Sequence, residues 1–231
     1  SSTTWGVGAE PASRTFGMVS TFPPTACGIA TFAAALSSAL LARGASVDVV
    51  RCGPRPTLED PLVVASLGQV KVSRAADVDA LNATEVVIVQ HEYGIYDGPD
   101  GDAVLPLLGA IEVPVVLVAH TVVRDPTAAQ RRVLEIACRR ADCVVVMTAT
   151  ARVRLLAGFD VDIRKVIVIP HGAATPPAPD PRLDTESADN GPAGGGARLL
   201  TWGLLGPGKG IEWAIESLIA LAKRVQHVAP R

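Results

Sequence analysis

The segment Gly203–Gly210 (Gly-Leu-Leu-Gly-Pro-Gly-Lys-Gly) stands between an apolar run and an amphipathic stretch, and its residue types suit the binding of phosphate. Backbone amides at the start of a helix attract anions, and glycine allows such a ligand to approach the main chain. Lys209 adds a full positive charge. Gly208, Lys209 and Gly210 are therefore predicted to bind phosphate.

The same turn nearly matches the P-loop of nucleotide hydrolases, G-x-x-x-x-G-K-[ST]. Gly210 stands where that motif needs a hydroxyl to hold Mg²⁺, and we expect no second magnesium-binding strand in the 21 residues after it. Phosphate binding without a metal is therefore favoured over a P-loop NTPase. A tight turn without a ligand is the remaining interpretation.

A second candidate site is Cys27-Gly28-Ile29, which joins an apolar run to a helical pattern. In a parallel sheet, main-chain amides at such a junction meet a ligand at the carboxyl ends of the strands. The run lacks the G-x-G-x-x-G spacing, so a dinucleotide cofactor is not expected. Close packing of the helix against the strand explains Gly28 equally well.

Three of the four histidines follow apolar runs that predict strands. Polar side chains at the carboxyl ends of parallel strands face the ligand crevice, so His120, directly after the run 115–119, is predicted to be a functional residue of that crevice. His91 with Glu92, and also His171, stand at equivalent places and are predicted to contact the substrate. A purely structural role is the alternative for each histidine.

No metal site is predicted from the sequence. Asp100-Gly-Asp102 has the form of the D-x-D metal motif, but residues 77–79 and 160–162 fit it equally well. Capping of a helix by Asp100 or Asp102 is the better explanation. No zinc spacing is present among the four cysteines, which are predicted to be buried thiols in a reducing compartment: Cys27, Cys52, Cys138 and Cys143.

Composition argues against two further classes of protein. The net charge of −2 and the pI of about 6.1 provide no basic footprint for nucleic acid. The pairs Arg131-Arg132 and Arg139-Arg140 are predicted to lie on the solvated face of one helix. No run of 18 apolar residues exists, and Ser1–Arg14 lacks an apolar signal core, so a cytoplasmic protein without a membrane span is expected.

Short β-branched runs alternate with helical patterns from Phe16 to Pro170, as at 85–90 and 115–119. After the first run, apolar residues recur with helical spacing, and Gly44 stands where a helix end favours a left-handed residue. Strands separated by helices in this way form right-handed βαβ units. The sequence therefore predicts an α/β fold with a Rossmann-like, doubly wound parallel sheet.

The composition also divides the chain into four parts. Residues 1–14 read as a polar tail, 15–171 as the Rossmann-like domain, and 172–197 as a linker rich in proline and glycine. Residues 198–231 hold one strand, the glycine turn and one helix. One strand and one helix cannot bury a core of their own, so we predict the beginning of an incomplete second Rossmann-like domain.

Four of these landmarks, in order, resemble the retaining glycosyltransferases of family 4, a GT-B group that includes bacterial mannosyl- and glucosyltransferases. Gly28–Gly44 resembles the family's opening loop and first helix, and Val118–Thr121 the strand end with its active-site histidine. Val168–Gly172 resembles the I-P-N-G run that closes the first domain. Leu199–Ile211 resembles the first strand, turn and helix of the donor domain, so the resemblance covers about residues 15–228.

The resemblance implies transfer of a hexose such as mannose from a UDP- or GDP-linked sugar to an acceptor hydroxyl, with retention at the anomeric carbon. It implies an acceptor-side N-terminal domain that works without a cofactor or metal. His120 would contact the reacting sugar, and Gly28, Gly208, Lys209 and Gly210 would bind the donor diphosphate. The acceptor would be a glycan or a lipid-linked group, which leaves open a peripheral association with the inner membrane.

The sequence departs from the family pattern at three places. Leu204 replaces the phosphate-binding arginine, His171 replaces the usual asparagine, and the E-x7-E segment that holds the donor sugar would lie beyond Arg231. Without most of the donor domain, the crevice would have only one of its two walls. The isolated chain is therefore expected to have negligible transferase activity. Two alternatives stay open: a truncated, non-catalytic protein that binds a partner such as a separate donor-domain chain, and, less favoured, an NTPase built on Lys209.

Overall fold

The computed structural model describes residues 14–53, 60–67, 75–172 and 210–228. By its contacts the chain separates into two compact units, residues 1–174 and 175–231.

Seven strands form the sheet of the first unit, and every neighbouring pair is parallel. They are β1 (Thr15–Ser20), β2 (Ser46–Cys52), β3 (Val63–Leu67), β4 (Val86–His91), β5 (Val115–Ala119), β6 (Cys143–Val146) and β7 (Val166–Val168). Their order across the sheet is β3-β2-β1-β4-β5-β6-β7. This is a doubly wound, Rossmann-like arrangement, so the predicted fold class is confirmed.

Five α-helices lie among the described residues of the first unit and connect these strands. They are α1 (Gly28–Leu41), α2 (Ala75–Asn82), α3 (Val104–Ala110), α4 (Ala128–Arg140) and α5 (Ala149–Gly158), with 3-10 turns at Pro99–Gly101 and Ile163–Lys165. The sequence pattern did not indicate α2. This helix buries Asp77 beside Leu81, and an aspartate at a buried position breaks the apolar periodicity.

The sheet carries an apolar core on each face. The larger core contains Val87 and Leu117 together with buried residues of α3, α4 and α5. The smaller contains Met18, Val118 and the α1 residue Ala33. Each fully buried valine or leucine stabilises the fold by about 1.5–3 kcal/mol, which explains why the central strands are apolar on both sides.

Several features predicted from the local sequence can be compared with the structure. After α1 the chain turns through Gly44, whose φ of 79° is in the left-handed region. The two arginine pairs of α4 are exposed, as predicted. All four cysteines are free, but only Cys52 and Cys138 are buried; Cys27 and Cys143 are half-buried, so that part of the prediction was wrong.

The strand order reverses between β1 and β4. From β1 the chain moves outward through β2 to β3, whereas β4 lies on the other side of β1 and the chain then proceeds to β7. The helices that follow the two strands pack on opposite faces, with α1 against the smaller core and α3 against the larger one. Connections that diverge in this way open a crevice at the carboxyl ends of the two strands.

The described part of the second unit is one helix, α6 (Ile211–Val228). Gly210 precedes it with a φ of 72°, and its carbonyl accepts a hydrogen bond from Ala214 N at 3.1 Å. Large apolar side chains of α6 are exposed, among them Trp213 and Leu218. The predicted linker, the strand at 198–202, Gly208 and Lys209 lie outside the described residues. Among the helices that are described, none combines the length and apolarity that a membrane span requires.

Candidate functional site

The predicted residues of the first unit gather at the crevice between β1, β4 and β5. Gly28 begins α1 after β1, Glu92 follows β4, and His120 follows β5. The backbone N–H of His120 donates to the carbonyl of His91 at 3.0 Å, which extends the ladder between β4 and β5 by one residue. Parallel pairing therefore brings three loops that are distant in sequence to one edge of the sheet.

His120 is held by contacts on two sides of its ring. Its Nε2 lies 2.7 Å from Oε1 of Gln90, and its ring makes an edge contact with Phe32 of α1 at 5.1 Å between centroids. Phe32 also contacts the ring of His171, at 5.0 Å. The fold thus brings His120 and His171 into contact with one phenyl ring.

The environment of His120 keeps its imidazole neutral. Burial, and to a smaller extent the nearby His171, lower the pKa of His120 to about 4. A group with that pKa carries no charge near pH 7 and is a weak base. It can accept one hydrogen bond and donate one, which suits the orientation of a sugar hydroxyl better than proton transfer near neutral pH.

His91 is not open to the crevice. It is the last residue of β4, is 1% exposed, and makes an edge contact with Tyr93 in the larger core. Burial lowers the pKa of His91 to about 4, with His120 adding to the effect. Its Nδ1 and the hydroxyl of Tyr93 are buried without a protein partner. The side chain therefore belongs to the core, so the structure argues against the predicted substrate contact.

Glu92 connects the loops after β4 and β5. One carboxylate oxygen accepts a hydrogen bond from the Thr121 hydroxyl, and the other accepts one from Tyr93 N at 3.0 Å. Both oxygens are therefore engaged within the protein. The structure assigns to Glu92 the positioning of the crevice wall, in addition to any contact with a ligand.

The N-terminus of α1 presents main-chain amides at the crevice. Cys27 caps the helix, because its Sγ accepts a hydrogen bond from Ala30 N at 3.3 Å and lies 3.2 Å from the Thr21 hydroxyl. The first amides of a helix have no intrahelical acceptor, and this cap leaves those of Gly28 and Ile29 for a ligand.

Gly28 itself is exposed, and a Cβ built on it would meet no atom within 4 Å. Its backbone is not in the left-handed region either. The alternative explanation, in which Gly28 permits close packing of helix and strand, was therefore wrong. The space in front of this glycine is open and leaves room for a ligand to approach the main chain.

Arg51 supports the loop between β1 and α1, and the sequence analysis missed it. The residue is 3% exposed on β2; its Nε donates to the Phe22 carbonyl at 3.2 Å, and its Nη2 donates to the Thr25 hydroxyl at 3.0 Å. A charged residue inside the run Val-Val-Arg-Cys was the available signal, because buried charge is retained only when it has partners.

The aspartates near residue 100 do not cap α3. The N-cap position of α3 is Ala103, which makes no side-chain capping bond, and Asp100 accepts a hydrogen bond from the Thr127 hydroxyl at 3.4 Å. The predicted explanation by helix capping was therefore wrong. In the ranges that the structure describes, no three His, Cys, Asp or Glu side chains converge as a metal-binding group.

The fold and this geometry together define a class: a doubly wound α/β domain with a ligand crevice at the switch point of its sheet. Residues 26–175 match the family described as Glycosyltransferase Family 4. The chain therefore belongs to glycosyltransferase family 4.

Parts of several solved structures are similar to the chain. An alpha-glucosyltransferase in complex with UDP-glucose and DNA containing an abasic site is 15% identical over 59% of this chain and 36% of that one, with a TM-score of 0.43. An alpha-glucosyltransferase (AGT) in complex with UDP is 14% identical over 63% and 38%, with a TM-score of 0.45. A glycosyltransferase from Rickettsia africae ESF-5 is 12% identical over 68% and 43%, with a TM-score of 0.44.

The chain spans 36–43% of the length of these three structures. A search of the curated proteins finds no match.

Proposed function

We propose that this chain forms the acceptor-side domain of a glycosyltransferase that moves a hexose from a nucleotide sugar to an acceptor hydroxyl, with retention at the anomeric carbon. Membership of family 4 supports the general reaction. The observation that carries the rest is the meeting of two features at one crevice: free amides at the start of α1 and a neutral, oriented His120. Phe32 connects them, since it lies one helical turn after Gly28 and contacts His120.

In this proposal the N-terminus of α1 binds a negatively charged group of the substrate. A nucleoside diphosphate gains charge as it leaves the sugar, and the positive end of a helix stabilises such a group by about 0.3–2 kcal/mol. The amides of Gly28 and Ile29 would bind a phosphate oxygen of the donor or an acceptor oxygen. One helix end supplies only part of the stabilisation, so a second cation-bearing turn is needed.

The second turn in this proposal is Gly208-Lys209-Gly210 on the donor side. Its amides and the Lys209 ammonium would neutralise the diphosphate without a metal ion. Gly210 has a φ of 72°, a left-handed conformation that glycine adopts without strain. His171, which shares the Phe32 contact with His120, would line the crevice beside the sugar.

We propose UDP or GDP as the nucleotide, glucose or mannose as the hexose, and a glycan or lipid-linked hydroxyl as the acceptor. A cytoplasmic location, with peripheral contact to the inner membrane for a lipid-linked acceptor, completes the proposal. We expect the 231 residues by themselves to turn over negligibly, because one helix N-terminus supplies only part of the stabilisation of the leaving diphosphate. Robust transfer by this chain from labelled nucleotide sugars to a panel of acceptors would contradict that expectation.

Titration of the isotope-labelled chain with UDP and with GDP, followed by amide chemical shifts, tests the proposed site. We expect saturable shifts at Gly28 and Ile29 for at least one nucleotide. Gly28→Val should abolish them by filling the open space in front of the helix. The matched control is Gly109→Val, because Gly109 is also exposed in a helix with no atom within 4 Å of an added Cβ.

The control variant should bind the nucleotide like the unmodified chain. Equal binding by Gly28→Val, or no response of the first α1 amides to either nucleotide, would refute the assignment of this site.

A further inference from the structure

We propose that Gln90 is a positioning residue that holds His120 in a single tautomer, with the proton on Nε2, and that Met18 sets the orientation of the Gln90 amide. The Nδ1 of His120 then accepts a hydrogen bond at the crevice. One part of this inference rests on the proposed function: that Nδ1 of His120 accepts a hydrogen bond from a hydroxyl of the donor sugar. The tautomer of His120 does not depend on the proposed function.

Gln90 lies in an apolar environment where its amide needs partners. The residue is 0% exposed, lies in β4 opposite Val118 of β5, and its amide contacts Met18 of the smaller core. A buried amide without hydrogen bonds costs several kcal/mol in an apolar surrounding. The two ends of this amide are therefore expected to keep fixed partners.

Met18 determines the orientation of the side-chain amide of Gln90. The thioether sulfur is an acceptor only, so the NH₂ group of Gln90 must face it, and Nε2 of Gln90 lies 3.4 Å from Met18 Sδ. The opposite orientation would place the carbonyl oxygen against the sulfur, acceptor to acceptor. Oε1 of Gln90 is then left to face His120, at 2.7 Å from its Nε2.

The tautomer of His120 follows from this orientation. An amide oxygen accepts hydrogen bonds and never donates them, so Nε2 of His120 must carry the proton. A neutral imidazole has one N–H, and Nδ1 is therefore an acceptor. No hydrogen bond to this Nδ1 is found within the described ranges, and it is not among the buried unpartnered atoms. The edge contact with Phe32 limits rotation of the ring.

Nuclear magnetic resonance of the ¹⁵N-labelled, ligand-free chain tests the tautomer. At pH 7 we expect His120 to show one protonated nitrogen, Nε2, whose proton exchanges slowly because Gln90 holds it. The His120→Asn variant assigns the signals. A proton on Nδ1, or a rapidly exchanging mixture of both forms, would overturn the proposal.

Three substitutions separate positioning from packing. Gln90→Leu removes the acceptor and should abolish the slow exchange of the Nε2 proton, whereas Gln90→Glu keeps an acceptor and should retain it. Met18→Leu preserves the apolar volume but releases the amide, so both forms of His120 should become visible. If Gln90→Leu fails to fold, the unmodified, Gln90→Glu and Met18→Leu chains still decide the question. An unchanged proton signal in Met18→Leu would refute the role of Met18.

Binding measurements connect the tautomer to the proposed reaction. Met18→Leu should weaken binding of the UDP- or GDP-hexose that the chain prefers by roughly threefold to tenfold, the effect of one hydrogen bond. Binding of the nucleoside diphosphate alone should stay unchanged, because His120 would contact only the sugar. Equal weakening of both ligands would overturn the sugar contact. If no nucleotide bound at all, the proposed function would fail while the measured tautomer remained valid.

Discussion

Replacing Arg51 with methionine should loosen the loop that presents the first amides of α1. The substitution keeps most of the side-chain length but removes the guanidinium, which donates to the Phe22 carbonyl at 3.2 Å and to the Thr25 hydroxyl at 3.0 Å. Phe22 is 1% exposed, so its carbonyl would lose a charged partner in a place that water reaches poorly. The loop lies between β1 and the cap of α1, and we expect the disturbance to stay there.

The expected decrease in the free energy of unfolding follows from these two hydrogen bonds. Hydrogen bonds to a charged group contribute about 1.5–3 kcal/mol each, and the two bonds of Arg51 are lost together. Methionine recovers part of this by burying apolar surface. We therefore expect the free energy of unfolding to fall by about 2–4 kcal/mol, as measured by urea titration.

Two controls make the Arg51 experiment decisive. Arg132→Met makes the same chemical change on the exposed face of α4 and should alter stability by no more than about 0.5 kcal/mol. Hydrogen exchange should accelerate at Cys27 N, which donates to the Thr25 carbonyl at 2.9 Å, and stay unchanged in β5. Unaltered stability together with unaltered exchange at Cys27 would refute the assignment of Arg51 as the support of this loop.

Three further predictions concern stability. The pKa of His91 is lowered to about 4 in the folded chain, so between pH 4 and about 6.5 the unfolded chain binds more protons and stability rises with pH. Urea titrations at pH 4.5 and 7 measure this rise in the free energy of unfolding, and in the His91→Phe variant the rise should be smaller by up to about 3 kcal/mol. An unchanged pH profile would contradict the prediction. Glu92→Ala should lower the free energy of unfolding by about 1–3 kcal/mol, because the Thr121 hydroxyl and a backbone amide lose their acceptor; Glu92→Gln should recover at least half. Lys165→Met should lower the thermal midpoint, since its ammonium donates to the Arg139 carbonyl at 3.1 Å at the end of α4. A midpoint equal to that of the unmodified chain would show that this cap is unimportant.

The site was partly predictable from local sequence. The placement of His120 after a strand, and of Gly28 at a strand–helix junction, followed from patterns within about ten residues, because strand ends and helix starts have local signals. His91 occupies a similar place in the sequence but is buried. The difference arises because β4 extends one residue further than the apolar run indicated and pairs His91 with Ala119.

The supporting residues could not be inferred in the same way. Arg51 contacts Phe22 across 29 positions of sequence, and Gln90 contacts Met18 across 72. Neither contact leaves a periodic pattern, because each depends on which strands become neighbours in the sheet. A polar residue inside an apolar run shows only that some partner must exist.

The sequence by itself determined the alternation of strands and helices, and hence the doubly wound fold, since side-chain periodicity and turn chemistry act over a few residues. The tertiary structure alone decided which histidine is buried in the core, which residues contact His120, and what supports the loop before α1. Those properties depend on burial and on hydrogen bonds between β1, β2, β4 and β5, and these form only when parallel strands align their carboxyl ends.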